Sequence, residues 1–416
     1  MRRPRQASVF FILVTIFLDI LGIGLIIPVL PALVGEFTVG DTQTAYLYGV
    51  LVSVYALMQF LFAPVFGALS DRFGRRPIVL SSLLGYGLDY LLLAVAPSLA
   101  WLVVARIVSG IMGANITTAN AYIADVSTDE TRGRNFGFIG AAFGLGFVFG
   151  PALGGLLGDV NLRLPFYAAA GLVLVNFLYG LFVLPESLPK EKRRAFNIRQ
   201  ANPIGGLGQL GKYPVVAGMA FAFVFFNLAQ LGLQTVWVLY TGYRFGWDAF
   251  ENGLTLALVG VMTALVQVGL TQRVIRRFGE RRTILMGLTV SCVSFLLYGL
   301  SSQPWMMLAT IVVGSLGGVA FPAIQSFIAG QVRPEEQGAT QGALTSLQSL
   351  ASIVGPVAST AVFGYFTSAD APFALPGATF LAGAVLILIT LVMVSRLFSR
   401  YPGGDNTPPQ NVTATP

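Results

Sequence analysis

Apolar residues recur along this chain in long, nearly unbroken stretches. They show neither the two-residue alternation of a half-buried strand nor the one-sided stripe of a soluble helix. A bilayer's hydrocarbon core takes about 20 apolar residues of helix to cross. Twelve such stretches are centred near residues 20, 58, 87, 111, 146, 175, 227, 262, 291, 317, 353 and 385. The pattern predicts an all-α integral membrane protein of twelve transmembrane helices. The first stretch follows the basic segment Met1–Arg5 and runs from about Val9 to Leu30 without a convincing cleavage site. It is read as a retained span, not a signal peptide.

The longest internal polar stretch, about Pro185 to Lys212, divides the spans six and six. It predicts an N-terminal bundle over 1–185, a cytoplasmic linker over 186–212, a C-terminal bundle over 213–400 and a polar, Pro-rich, disordered tail over 401–416. The two halves repeat at a constant offset of 205 residues. Arg72-Phe73-Gly74-Arg75-Arg76 matches Arg277-Phe278-Gly279-Glu280-Arg281, Tyr122-Ile123-Ala124 matches Phe327-Ile328-Ala329, and Gly150-Pro151 matches Gly355-Pro356. Two pseudo-symmetric halves of six helices imply a central cavity and alternating access.

With 55% hydrophobic and 10% charged residues, the chain is too apolar for an ordinary soluble globule. The net charge of +7 raises the possibility of a nucleic-acid partner, but position decides its meaning. With a cytoplasmic N-terminus, only Arg163 and Arg244 of the 25 Lys and Arg residues fall outside, and Arg106 falls within a span. Retention of positive charge inside explains the excess, so no nucleic acid is expected and both termini are placed in the cytoplasm of a multi-pass cell-membrane protein, the bacterial inner or plasma membrane. The chain has no histidine and a single cysteine, Cys292. That excludes histidine triads, imidazole relays and internal disulfides. No catalytic residue, metal or cofactor is expected, and a proton coupling ion would have to ride on a carboxylate.

Three charges fall inside spans, where each costs about 2.5–3.5 kcal/mol on insertion scales. Asp19 and Asp89 lie roughly 15 Å deep, near the midplane. Arg106 is nearer the outer surface. The expected arrangement sets Asp19 within reach of Arg106, with Asp89 as a second candidate for proton coupling. At offset 205 the three correspond to Val224, Ser294 and Ile311, so intramembrane charge belongs to the first half. The second half is expected to supply uncharged substrate contacts. Asn227, Gln230 and Gln234 share a helical face in span 7, and Phe223, Phe226 and Trp237 are placed to stack on a ligand's rings. Gln59, Asn115 and Gln325 are further candidates. The parallel stripe Gln341, Thr345, Gln348 and Ser352 in span 11 is read as interhelical hydrogen bonding.

The loop from Gly67 to Pro77, with Asp71, Arg72, Gly74, Arg75 and Arg76, resembles the signature loop of the major facilitator superfamily. That resemblance implies a cytoplasmic charge latch of Asp71, Arg72, Arg75 and Asp125 holding the outward-facing state. Gly146, Gly150, Pro151, Gly154 and Gly155 are similar to the family's antiporter motif, whose small residues admit close helix approach and whose proline gives a hinge. Arg106-Ile-Val-Ser-Gly110 resembles the family's intramembrane arginine motif. Leu18-Asp19, Gly87-Leu-Asp89-Tyr90 and Ala121-Tyr-Ile-Ala-Asp125 look like the tetracycline and related drug exporters. The resemblance implies a proton-coupled antiporter of tetracycline-like or other amphipathic drugs, working as a monomer in the lipid bilayer. It lapses at Thr263 and Ser291, where those pumps commonly carry histidine and aspartate, which points to a substrate class broader than magnesium-tetracycline. Export of an endogenous sugar or lipid would use the same carboxylates, and a sensor of transporter ancestry would keep the fold without flux.

Overall fold

A computed structural model describes residues 9–113, 115–193, 207–210, 212–333 and 336–401; the side chains of Asn115, Asp129, Arg132, Leu207 and Gln209 lie outside the described part. The tail expected beyond Tyr401, and the linker over 194–206, also fall outside it.

The described chain is helical. In order, the helices are α1 (Val9–Ile26), α2 (Leu30–Gly35), α3 (Gly40–Phe73), α4 (Arg75–Ala94), α5 (Leu99–Met112), α6 (Asn115–Asp125), α7 (Asp129–Val160) and α8 (Leu164–Phe182). The short α9 (Leu207–Leu210) precedes α10 (Pro214–Phe245), α11 (Ala249–Leu265), α12 (Gln272–Leu300), α13 (Pro304–Gly317), α14 (Ala320–Gly330), α15 (Gln337–Thr367) and α16 (Ala378–Arg400). A π-helical stretch, Val266–Thr271, joins α11 to α12.

Among the described residues, eleven helical runs are long and apolar enough to cross a membrane. One of them, Ala249–Leu300, has 52 residues, about 78 Å at 1.5 Å per residue and over twice a 30 Å hydrocarbon core. It breaks at Gly279 (φ 75°, ψ 165°). Divided there, it supplies spans 8 and 9, and the total is twelve. Gly74, one repeat earlier, has the same kind of backbone (φ 105°, ψ 160°) between α3 and α4. Both positions lie where a Cβ is strained, which accounts for glycine at each.

The repeat extends to helix boundaries. Span 4 is interrupted between α5 and α6, and span 10 between α13 and α14. Leu99, Met112, Asn115 and Asp125 bound the first pair, and Pro304, Gly317, Ala320 and Gly330 bound the second, each shifted by the same 205 residues.

Packing separates the chain into two compact units: Met1–Pro203 with Thr235–Val261 and Pro356–Pro376, and Ile204–Gln234 with Met262–Gly355 and Gly377–Pro416. The first has a core around Ile12, Leu33, Leu83, Tyr90, Tyr122 and Phe166. The second is built around Met219, Phe223, Ile284, Leu288, Phe327 and Ile387.

Candidate functional site

The first unit holds the intramembrane charges. α4 and α5 are antiparallel neighbours joined by a short turn, and Asp89 stands about as far before that turn as Arg106 stands after it. The two meet at one depth. Arg106 Nη2 lies 2.9 Å from both carboxylate oxygens of Asp89. Both residues are buried, at 6% and 1% exposure. The direct partner of the arginine is therefore Asp89, which the hairpin brings into register; the sequence expectation had set Asp19 within electrostatic reach of Arg106 and had named no direct partner. Tyr55 lies under the same guanidinium, 6.0 Å from ring centre to Cζ.

Asp19, half-buried on α1, accepts a hydrogen bond from Asn176 Nδ2 at 3.0 Å. Asn176 is fully buried on α8 and its amide also donates to the Thr15 carbonyl at 3.0 Å. Asp19 lines a small cavity of about 20 Å³ with Ile16, Ile23, Tyr86 and Ile116. Tyr86 stacks on Tyr90 (centroids 6.2 Å, 18°). Asn176 and Tyr86 escaped the sequence reading, which named Tyr90 only within a motif. A polar amide within a span was the available signal for Asn176, whereas nothing local to the chain links it to a residue 157 positions away.

At the other end of α4, Arg75 binds two carboxylates, Asp71 at 2.5 Å and Asp125 at 3.1 Å. Ser70 Oγ also accepts from its guanidinium. Arg72 takes no part: it is exposed and stacks over Phe73. Arg76 donates to the Leu181 carbonyl. Gly67 is an interior residue of α3 beside Thr117, not a turn residue. The start of α4 is satisfied by Glu186, whose Oε1 accepts from the backbone N–H groups of Arg75, Ser187 and Leu188. Glu186 was read only as part of the linker. Its carboxylate offsets the positive end of the helix macrodipole.

The glycine motif fastens α7 to α1. A Cβ on Gly24 would sit 2.8 Å from the Gly150 Cα, and one on Gly146 would meet Ile20 at 2.6 Å. Gly154 abuts the Leu25 carbonyl, while Gly155 abuts α11 at Ala249 and Gly253. Pro151 lies within the continuous α7. Lipid tails are as apolar as leucine, so close backbone approach of this kind is what holds such helices together.

The sequence profile of the Major Facilitator Superfamily matches residues 12–274 and 268–414. The chain belongs to the major facilitator superfamily. Among its relatives, the class C tetracycline resistance protein of Escherichia coli is 40% identical over 94% of this chain and 96% of that protein. The class G protein of Vibrio anguillarum is 39% identical over 95% and 98%. Among solved structures, the human organic anion transporter MFSD10 (TETRAN) superposes with a TM-score of 0.70 at 25% identity, covering 93% of this chain and 98% of that one. The nucleoside transporter NupG gives a TM-score of 0.72 at 14% identity, over 94% and 98%, and supports the fold alone. This facilitator is a transporter, not an enzyme.

The expected substrate residues of this facilitator differ in burial and in hydrogen bonding. Phe223 and Phe226, 2% and 3% exposed, are core residues stacked on each other. Trp237 is likewise buried. The pattern of apolar and amide residues on α10 did not distinguish rings that pack from rings that face a cavity. Asn227 donates to the Phe223 carbonyl of its own helix at 2.8 Å. Gln230 and Gln325 are half-buried and Gln234 is exposed. Gln59 donates to the Gly113 carbonyl at 3.1 Å, at the break between α5 and α6. The Asn115 side chain lies outside the described residues. In span 11, Thr345 and Ser352 donate to carbonyls one turn back on α15, so the interhelical reading of that stripe is corrected for these two hydroxyls as donors. Thr263 is half-buried, and Ser291 packs so tightly on Gly317 that no Cβ fits between them.

Proposed function

We propose that this transporter exports tetracycline-like drugs or other amphipathic compounds in exchange for protons, by alternating access of two six-helix bundles. The observation that carries the reading is the 40% identity with a tetracycline resistance protein along 94% of the chain. Asp19 is the proton carrier. Arg106 is engaged by Asp89, while Asp19 borders a cavity and accepts from an uncharged amide. Protonation on the outer side removes its charge; on the inner side, the arriving drug and the proton compete for the same state of the carboxylate. The pair Asp89–Arg106 keeps α4 and α5 in register as the bundles rock. Arg75, Asp71 and Asp125 form the cytoplasmic latch, with Glu186 tying it to the linker. Thr263 and Ser291 favour substrates that do not arrive as a magnesium chelate. The protein works as a monomer in the cell membrane with both termini in the cytoplasm.

The test is drug-dependent proton movement in proteoliposomes, with Asp19→Asn beside the parent. Coupled movement should vanish while the purified variant keeps its helical circular dichroism. Unchanged coupling in Asp19→Asn moves the carrier role to Asp89, and the absence of drug-dependent proton movement in the parent removes the export reading.

A further inference from the structure

A cavity of about 490 Å³ opens in the first unit on the face opposite the Gly67–Pro77 loop. The topology proposed above puts that face outside the cell. The volume falls within the roughly 300–1,000 Å³ of small-molecule sites. We infer that it binds an organic cation carrying an aromatic ring. Tyr243, Trp247 and Phe363 supply aromatic rings to its lining. Phe363 is buried and stands nearly perpendicular to Tyr243 (6.1 Å, 86°).

Charge selects the sign of the ligand. Asp41, Asp159 and Asp248 line the cavity, no lining residue is basic, and none of the three makes an ion pair among the described residues. They are not equivalent. Asp248 caps α11, accepting from the Phe250 and Glu251 backbone N–H groups, and Asp41 lies in the first turn of α3, so helix dipoles already offset part of their charge. Asp159 lies in the last turn of α7, where the negative end of the helix dipole adds to the carboxylate. The external Arg163 is engaged by Glu36 at 2.7 Å and by the Ala94 and Ala96 carbonyls. A cation over Trp247 or Tyr243 therefore gains from the ring and from Asp159, while an anion is repelled.

The walls come from α2, α3 and α7 of the first sequence half and α10, α11 and α15 of the second. Those outer ends are held by contacts of Gly155 with Gly253, Gly158 with Ala249, and Gly49 with Thr360. An occupant touching both sets stabilises that contact and disfavours any state in which they part. A cation bound from outside thus slows the transport cycle. This last step rests on the export reading; the binding itself does not.

Calorimetry on the detergent-purified protein tests the site with benzyltrimethylammonium, tetramethylammonium and benzenesulfonate. The aromatic cation should bind most tightly, the ring-free cation more weakly and the anion undetectably. Trp247→Leu and Asp159→Asn should each weaken the aromatic cation by roughly threefold to thirtyfold, and Asp159→Glu should restore it. Equal binding of the three probes, or indifference to both substitutions, overturns the site. In vesicles, external benzyltrimethylammonium should slow drug export by the parent and not by Asp159→Asn; binding without slowing overturns the locking step. Because binding is read without transport, failure of the export reading and failure of the site are separate results.

Discussion

A guanidinium and a carboxylate buried together at 2.9 Å protect each other from an apolar surround. Breaking such a pair by removing one partner leaves a charge that nothing nearby compensates, at a cost of about 3–5 kcal/mol. Asp89→Asn should therefore lower the thermal stability of the purified protein by about that much. Adding Arg106→Gln should recover part of the loss, as a double-mutant cycle of melting curves would show. Additive losses would mean the two side chains do not support each other. At this scale the chemistry was legible and the pairing was half so. That three charges lie in spans follows from the sequence, because lipid tolerates few. Which carboxylate reaches Arg106 depends on the α4–α5 hairpin register, which equal spacing about the turn could have indicated. Asn176 beside Asp19 depends on how α8 crosses α1, and nothing local encodes that crossing.

Helices behave differently, because their lengths are written in hydropathy and their contacts in small residues. The twelve spans were legible. The loop expected between spans 8 and 9 turned out to be a single glycine inside one 52-residue run. The π-helical stretch before it had no sequence signature. Among the glycines of span 5, the structure separates those that touch a neighbour from those that do not. Gly154→Leu would force the Leu25 backbone away and should cost about 1–3 kcal/mol by overpacking. Gly140→Ala and Gly144→Ala face open space and should be silent or mildly stabilising. Yields of folded, monodisperse protein from the three variants would decide it, and equal yields would refute the close α1–α7 approach.

For the whole molecule, orientation rests on charge asymmetry, and the single cysteine makes it measurable. Cys292 is half-buried in span 9. On a Cys292→Ser background, Asp370→Cys should react with a membrane-impermeant thiol reagent added to intact cells, and Lys190→Cys only after lysis. The reverse pattern would invert the proposed topology. The duplication shapes the molecule as well, but unevenly: Arg75 and Asp125 of the first half answer to Glu280 and Gly330 in the second, so only one half carries the Arg75 latch. What both halves retain is the left-handed glycine at the turn, Gly74 and Gly279. That shared backbone has a meaning in the genetic code. Every glycine codon begins GG, so at these two sites only the third base is free to drift; any coding change at the first or second base installs a Cβ at a positive φ, and at Gly74 also drives it into the Glu186 carboxylate that caps α4. A saturation library selected for export should therefore tolerate substitution along the exposed flanks of both loops, yet return glycine at residue 74, and to a lesser degree at residue 279, where nothing stands in the way of a side chain.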